Sequence, residues 1–206
     1  MINNFKTYYG KGKFNIEKTI NFLTPSLDEC VQTYGSAIVG NLKLNLSNTG
    51  EEYNGNKVAG LETFSFNPDD FSIIEFTLEG LKGNRTSIDT EILLHGTYGV
   101  SSGATDLIAV SNDKIIIKRD NATIFTETTN YNIGLYSDRV RNLTLRINKN
   151  DNTIMVLEDG QVLINQNAYT GNLSFDKEMH LEFKIKSSTS GDSNIDIRQI
   201  KIKLFG

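Results

Sequence analysis

Apolar and polar residues trade places at every second position over much of this chain. Leu42, Leu44 and Leu46 alternate with Asn41, Lys43, Asn45 and Ser47, a two-residue period that sends one set of side chains inward and the other outward, as in a half-buried strand. The same period returns at Leu143 to Ile147, at Leu181 to Ile185 and at Ile195 to Leu204. In the last of these, Ile195 and Ile197 are followed by Ile200, Ile202 and Leu204, a slip of one position that predicts a β-bulge near Arg198 and Gln199. Further strand-like runs are Phe71 to Leu78, Ser87 to Leu94, Asp106 to Val110, Lys114 to Lys118, Ala122 to Thr126, Thr153 to Leu157 and Gln161 to Asn165.

Turn chemistry separates these runs: Asn54-Gly55, Glu79-Gly80, Lys82-Gly83-Asn84, Ser111-Asn112-Asp113, Asn148 to Asn152 and Asp159-Gly160. The Asp159-Gly160 pair supplies the two positive φ angles of a type I′ hairpin, and so predicts a tight link between Thr153–Glu158 and Gln161–Asn165. Asn makes up 23 of the 206 residues; it suits turns and weakens helices. These signals predict an all-β fold, an antiparallel two-sheet sandwich of the jelly-roll kind, rather than a parallel sheet with interleaved helices. Only Ile16 to Tyr34 has apolar residues at helical spacing, and Pro25 interrupts it, so Pro25 to Val31 is expected to form at most a short helical turn. Gly10 to Lys13 reads as mobile or extended. The expected partition is a short, irregular N-terminal docking segment over residues 1–35 and a β-sandwich over 36–206.

Composition narrows the functional classes. With 38% hydrophobic and 22% charged residues and only 2 Pro, the chain has the make-up of a packed domain. Apolar runs of three or four residues, such as Ile115 to Ile117, fall far short of the roughly 20 needed to span a bilayer as a helix. The net charge is −4, with 21 basic and 25 acidic residues interleaved, so no basic stripe invites nucleic acid. The single Cys30 has no disulfide partner within the chain, and Met1 to Phe14 is too polar for a secretory signal. A reducing site of maturation is expected.

The stretch from Arg139 to Ile164 runs as an alternating strand, a polar turn, a second strand, an Asp-Gly hairpin and a third strand. In that order and spacing it resembles the concanavalin A-like lectin/glucanase sandwich in its laminin-G-like form. Phe71-Ser-Ile-Ile-Glu-Phe-Thr-Leu is similar to an early strand of that family, and Ile195-Asp-Ile-Arg-Gln-Ile-Lys-Ile to its closing strand. The resemblance covers about residues 40 to 206 and implies a jelly roll with sugar-related chemistry. Glucanases of this fold carry a nucleophile and an acid/base on one strand face. The nearest match here is Ser87-Ile-Asp89-Thr-Glu91, where Asp89 and Glu91 share a face but Ser87 stands in the position of the first carboxylate. Double displacement lacks its nucleophile, so no catalytic residue and no enzyme is expected; Asp89 and Glu91 read as solvated carboxylates on an outer face.

Other chemistry is sparse. His95 and His180 are the only histidines, too few with Cys30 to propose a nucleophile-base pair or a zinc site. His95, next to Gly96 at a strand end, reads as a ligand contact or, more often at such positions, as a satisfied structural histidine. No phosphate loop follows Gly80 to Gly83. Asp69-Asp70, Asn112-Asp113 and Asn150-Asp151-Asn152 offer oxygen ligands without the spacing of a calcium loop, and each reads as turn chemistry. No cofactor and no metal site is predicted. Five Asn-x-Ser/Thr matches, at Asn45, Asn84, Asn121, Asn142 and Asn172, predict no glycan in the absence of a signal.

Sugar recognition needs loop aromatics to stack on sugar faces and polar groups for hydroxyls. Tyr98, Tyr131 and Tyr136 fall in loop-like segments and, with His95, Asp89 and Glu91, form the predicted carbohydrate-binding set. There is no Trp, so such a site is expected to be shallow and to act in multiple copies. The Asn-rich, Lys-rich, Pro-poor composition also resembles tail, baseplate or head-fibre proteins of phages of low-GC bacteria. The leading expectation is therefore a non-enzymatic structural or adhesion protein of a phage virion, assembled in the host cytoplasm. Its partners would be other virion subunits or copies of itself, its sandwich would touch host surface polysaccharide, and it would have neither nucleic acid nor membrane insertion. The alternatives are an extracellular, lectin-like carbohydrate-binding module of a secreted bacterial protein, and a degenerate glucanase.

Overall fold

Strands that are apolar on one side only are satisfied when two sheets bring those sides together. The computed structural model, which describes residues 6–10, 13–22, 31–34, 36–40, 43–47, 52–53, 56–83, 88–96, 107–110, 114–119, 122–128, 139–164, 173, 178–187 and 194–206, is built in this way. One sheet has ten strands among the described residues. Its main path runs β1 (Lys6–Gly10), β2 (Lys13–Asn21), β18 (Gln199–Phe205), β8 (Ile73–Gly83), β13 (Arg141–Asn148), β14 (Thr153–Glu158) and β15 (Gln161–Ile164). Strand β17 (Asn194–Ile197) also lies on β8 and carries β5 (Lys43–Ser47) and then β4 (Ser36–Gly40). The second sheet, of eight strands, has the order β12 (Ala122–Thr128), β11 (Lys114–Arg119), β10 (Leu107–Val110), β9 (Ile88–Gly96), β16 (Met179–Ser187), β7 (Asn56–Phe66) and β3 (Val31–Tyr34), with β6 (Glu52–Tyr53) on β7. The pairings are antiparallel, β16 with β7 and β9 among them. This is the antiparallel jelly-roll sandwich expected from the period of the sequence.

One apolar cluster joins the sheets. Ile74, Phe76, Leu78, Leu143, Leu145, Ile147, Ile200, Ile202 and Leu204 come from the ten-stranded sheet; Leu61, Ile92, Leu94, Leu181, Phe183 and Ile185 come from the other. Each belongs to the inward set of an alternating strand. Asp159 (φ 48°) and Gly160 (φ 81°) form the two-residue turn of the β14–β15 hairpin, with Glu158 opposite Gln161. Among the described residues the helical element is one 3₁₀ turn, Pro68–Asp70, started by the Asn67 side chain accepting from the Asp69 N–H at 2.9 Å.

Several local expectations change. The Ile16 end of the helix-like segment is strand: Ile16 and Ile20 alternate along β2 and pair with Leu204 and Ile200 of β18. The N-terminal segment, read as short and irregular, contains the β1–β2 hairpin and places β3 on β7; of Pro25 to Val31, where a helical turn was expected, Val31 begins strand β3, and residues 25–30 and the turns at 54–55, 84 and 111–113 lie outside the described residues. Glu79-Gly80 is not a turn between strands but part of β8. Gly80 has φ +66° and, with Glu79, sits against Asn142 where the β8–β13 register slips by one, while its N–H donates to Asn142 Oδ1 at 3.1 Å. The bulge is therefore in β8, measured against β13. The slip foreseen near Arg198 is its reflection: Arg198 faces Gly80, donates its N–H to the Glu79 carbonyl at 2.9 Å, and the register of β17 and β18 on β8 passes this row unshifted. Both strands change phase together, Leu78 to Leu81 in one and Ile197 to Ile200 in the other.

Candidate functional site

The site is the side of the eight-stranded sheet turned away from the core. Along β16, Met179, Leu181, Phe183 and Ile185 point into the cluster, so His180, Glu182 and Lys184 share the opposite face. Register brings their neighbours. On β9, His95 lies opposite His180, Leu93 opposite Glu182 and Glu91 opposite Lys184; on β7, Glu62 lies opposite Glu182. A bulge in β7 between the His180 and Glu182 rows turns Thr63 so that its hydroxyl donates to the Leu181 carbonyl at 3.1 Å.

This outward face is not open water. His95 and Glu182 are each only 1% exposed, and Lys184 is 7% exposed. Leu93 is buried beside them without belonging to the apolar cluster between the sheets. The alternation had placed Glu182 and Lys184 outward, which holds relative to the core, but outward here means covered. Charges so enclosed need partners. The Glu182 Oε2 lies 3.4 Å from His95 Nε2 and 3.6 Å from Lys184 Nζ. The other ring nitrogen of His95, Nδ1, is 2.8 Å from the Gly96 carbonyl; a carbonyl can only accept, so Nδ1 carries the hydrogen, and the Nε2–Glu182 contact is a charge contact rather than a hydrogen bond. The Glu62 Oε1 holds His180 Nδ1 at 2.7 Å, both side chains being 18% exposed. The two imidazoles lie near each other, ring centres 6.0 Å apart and planes 30° from parallel.

Burial by itself pushes the His95 pKa down, but the Glu182 carboxylate, the Gly96 carbonyl and the charge of Glu62 together outweigh it and raise the pKa above the ordinary histidine value. The face is thus an alternating set of carboxylates and bases rather than an apolar groove. Among the described residues no group of three or more His, Cys, Asp or Glu is placed to hold a metal ion.

Of the predicted set, His95 and Glu91 fall on this face. Asp89 lies in the same strand opposite Lys186, with its side chain outside the described residues. Tyr98, Tyr131 and Tyr136 also lie outside them. Glu62, His180, Glu182 and Lys184 are the residues that sequence reasoning missed; alternation along Leu181–Ile185 marked two of them as outward, but nothing local said they would be enclosed. Of the proposed oxygen clusters, Asp69-Asp70 and Asn150-Asp151-Asn152 are turn chemistry, and Asn112-Asp113 lies outside the described residues. The Asp151 carboxylate receives the Asn148 amide and the Thr153 N–H and hydroxyl, and Asp69 receives Lys149 Nζ at 2.8 Å.

No protein-family model and no curated protein sequence matches the chain. Solved structures do. Basic winged bean lectin, in a complex with Tn-antigen, superposes with a TM-score of 0.62 at 10% identity, covering 93% of this chain and 98% of the lectin. A β-1,3-1,4-glucanase (lichenase) from a mouse hindgut metagenome gives 0.60 at 11% identity, over 90% of this chain and 98% of the enzyme. The carbohydrate recognition domain of Emp46p gives 0.61 at 12% identity, over 89% and 94%. Identities this low speak for the fold alone. That fold is the concanavalin A-like lectin/glucanase β-sandwich.

Proposed function

We propose that the chain is a non-catalytic carbohydrate-binding sandwich whose sugar site lies over the outward face of the eight-stranded sheet. The observation that carries this reading is the row of polar side chains at the edge of that face, Glu62, Glu91 and His180, around the enclosed His95, Glu182 and Lys184. Carboxylates and imidazoles whose orientation is fixed by neighbours meet sugar hydroxyls without first giving up side-chain freedom. Lectins among the structural neighbours support the same reading.

The absence of catalysis rests on where the carboxylates are. A glycosidase needs two carboxyl groups open to the scissile bond. Here Glu182 is enclosed against His95 and Lys184, and Glu62 is engaged by His180. Neither the geometry of the face nor the structural neighbours support the virion setting, the virion partners or the self-association expected from composition.

A glycan array probed with the whole chain tests the proposal. Binding that is lost in Tyr98→Ala or Tyr131→Ala and weakened in Glu62→Gln is the expected result. Absence of binding over a broad array at pH 5.5 and at pH 7.5 would overturn it. Release of reducing sugar from a polysaccharide panel, abolished in Glu91→Gln, would replace it with a glucanase.

A further inference from the structure

Strand β7 carries one residue more than its partner can match. Leu61 and Phe66 both lie in the apolar cluster between the sheets, yet they stand an odd number of positions apart, and strict alternation would send them to opposite faces. A single extra residue between them reconciles the two, which is what a β-bulge supplies. Core packing demands the bulge without saying where it falls. It falls at Thr63 and Phe64: Ser65 opposes His180 and Glu62 opposes Glu182, so both bulge residues stand across from Leu181. Phe64 packs against the cluster, with the Lys18 ammonium 4.7 Å from its ring centre. Glu62 and Ser65 are thereby left on the outward face, on either side of the bulge.

Thr63 holds this arrangement by two groups. Its side chain is buried, and its hydroxyl donates to the Leu181 carbonyl at 3.1 Å, filling part of the ladder that the extra residue interrupts. Its own carbonyl lies 3.4 Å from His180 Nδ1, and Glu62 Oε1 lies 2.7 Å from the same nitrogen. A carbonyl and a carboxylate only accept, so Nδ1 carries the hydrogen of the ring. The second carboxylate oxygen of Glu62, Oε2, has no hydrogen-bond partner among the described residues, and the side chain is partly exposed.

We propose that Thr63 is the positioning residue of the sugar site. Its hydroxyl fixes the bulge in place, its carbonyl and Glu62 Oε1 orient the His180 ring, and Glu62 presents Oε2 as an acceptor for a ligand hydroxyl. The role of Oε2 rests on the sugar-binding reading, whereas the setting of the Glu62–His180 pair does not. Without the hydroxyl, the bulge is free to slide to a neighbouring pair of residues while Leu61 and Phe66 stay in the core. A slide toward Phe66 turns Phe64 outward, and a slide toward Leu61 turns Thr63 outward beside Glu62. Either one takes the Thr63 carbonyl away from His180 and leaves Glu62 to reorient at the expense of binding.

Proton–nitrogen NMR of the histidine rings in the intact chain at alkaline pH tests this without any ligand. In the wild type, His180 should carry its hydrogen on Nδ1. Thr63→Val, which keeps the branched shape and loses the hydroxyl, should abolish that preference, and Thr63→Ser, which restores a hydroxyl, should recover it. A wild-type His180 with its hydrogen on Nε2 overturns the proposal even where Thr63→Val does not fold. A folded Thr63→Val that melts earlier with an unchanged His180 spectrum gives Thr63 a structural role alone and overturns it too, as does a Thr63→Ser no different from Thr63→Val. Any glycan found on the array should bind folded Thr63→Val about fivefold more weakly than the wild type, the scale of one hydrogen bond, and Thr63→Ser nearly as well as the wild type. Equal binding by all three sinks the positioning role and leaves the sugar reading intact. A His180 spectrum that follows Thr63 in a chain that binds no glycan sinks the sugar reading and leaves the positioning of the pair.

Discussion

The two outward faces of this sandwich obey the same alternation and meet opposite fates. On the ten-stranded sheet, Glu75 receives Arg146 through Nε at 2.8 Å and Nη2 at 2.6 Å, Lys201 reaches Glu79 at 2.6 Å, and Thr77 and Thr144 share a hydrogen bond of 2.8 Å across β8 and β13. These pairs lie at or near solvent, with Arg146 40% and Lys201 35% exposed. On the eight-stranded sheet, the His95–Glu182 pair is sealed. Water screens the first set and makes it dispensable. Enclosure makes every member of the second set depend on the others. Polar residues on a strand are therefore not one class, and depth decides what each is worth.

The largest effect expected from this contrast is Glu182→Ala, which removes the enclosed carboxylate that His95 and Lys184 face and should cost about 3–5 kcal/mol in chemical denaturation. A loss no larger than that of a surface pair would erase the distinction between the faces. Next comes the bulge row of the ten-stranded sheet. Gly80→Ala puts a Cβ within 2.6 Å of the Arg198 side chain and holds a non-glycine residue at φ +66°. Positive φ alone costs roughly 1–2 kcal/mol, and Arg198→Ala in the same background should recover only the part due to crowding.

Acid titration gives a further contrast. The Asn142 N–H foremost, helped by Arg139 and Arg141, holds the Asp159 carboxyl below its usual range against burial, which raises it. Its stabilising contribution is present above about pH 3.9 and is lost as pH falls through the folded value. Asp159→Asn should lessen the fall in melting temperature below pH 4 and leave the alkaline side alone. His95, whose pKa is raised, should show the reverse, its contribution being lost as pH rises through the folded value. Arg146→Ala closes the series, with at most about 1 kcal/mol and a strong reduction by salt; a larger, salt-independent loss would mean that the outer face of the ten-stranded sheet is as demanding as the other.

Legibility followed the period. β13, β16, β17 and β18 were visible because their alternation is unbroken, and β14 because the Asp159-Gly160 turn marks its end. β7 was invisible although it is an eleven-residue strand, Asn56–Phe66, at the centre of the site. Gly60 weakens its strand pattern, and the bulge near Thr63 breaks its period. The helix-like spacing of Ile16 and Ile20 is two steps of a strand as well as about one turn of a helix, so four residues cannot distinguish them; pairing with β18 did. Glu79-Gly80 has the composition of a turn, and only the partner strand reveals it as a bulge.

Of the site, His95 and Glu91 were readable as polar residues of one strand. His180 and Glu62 were not, because the pairing of their rows is a matter of register between strands far apart in sequence. The sequence by itself settled that alternate residues along most of these strands would be buried between two sheets, since a period of two is a property of the extended backbone and needs no partner to be expressed. Only the tertiary structure decided which polar residues stand side by side and which of those are shut away from water. Register and cover are agreements between distant segments, and no local pattern carries them.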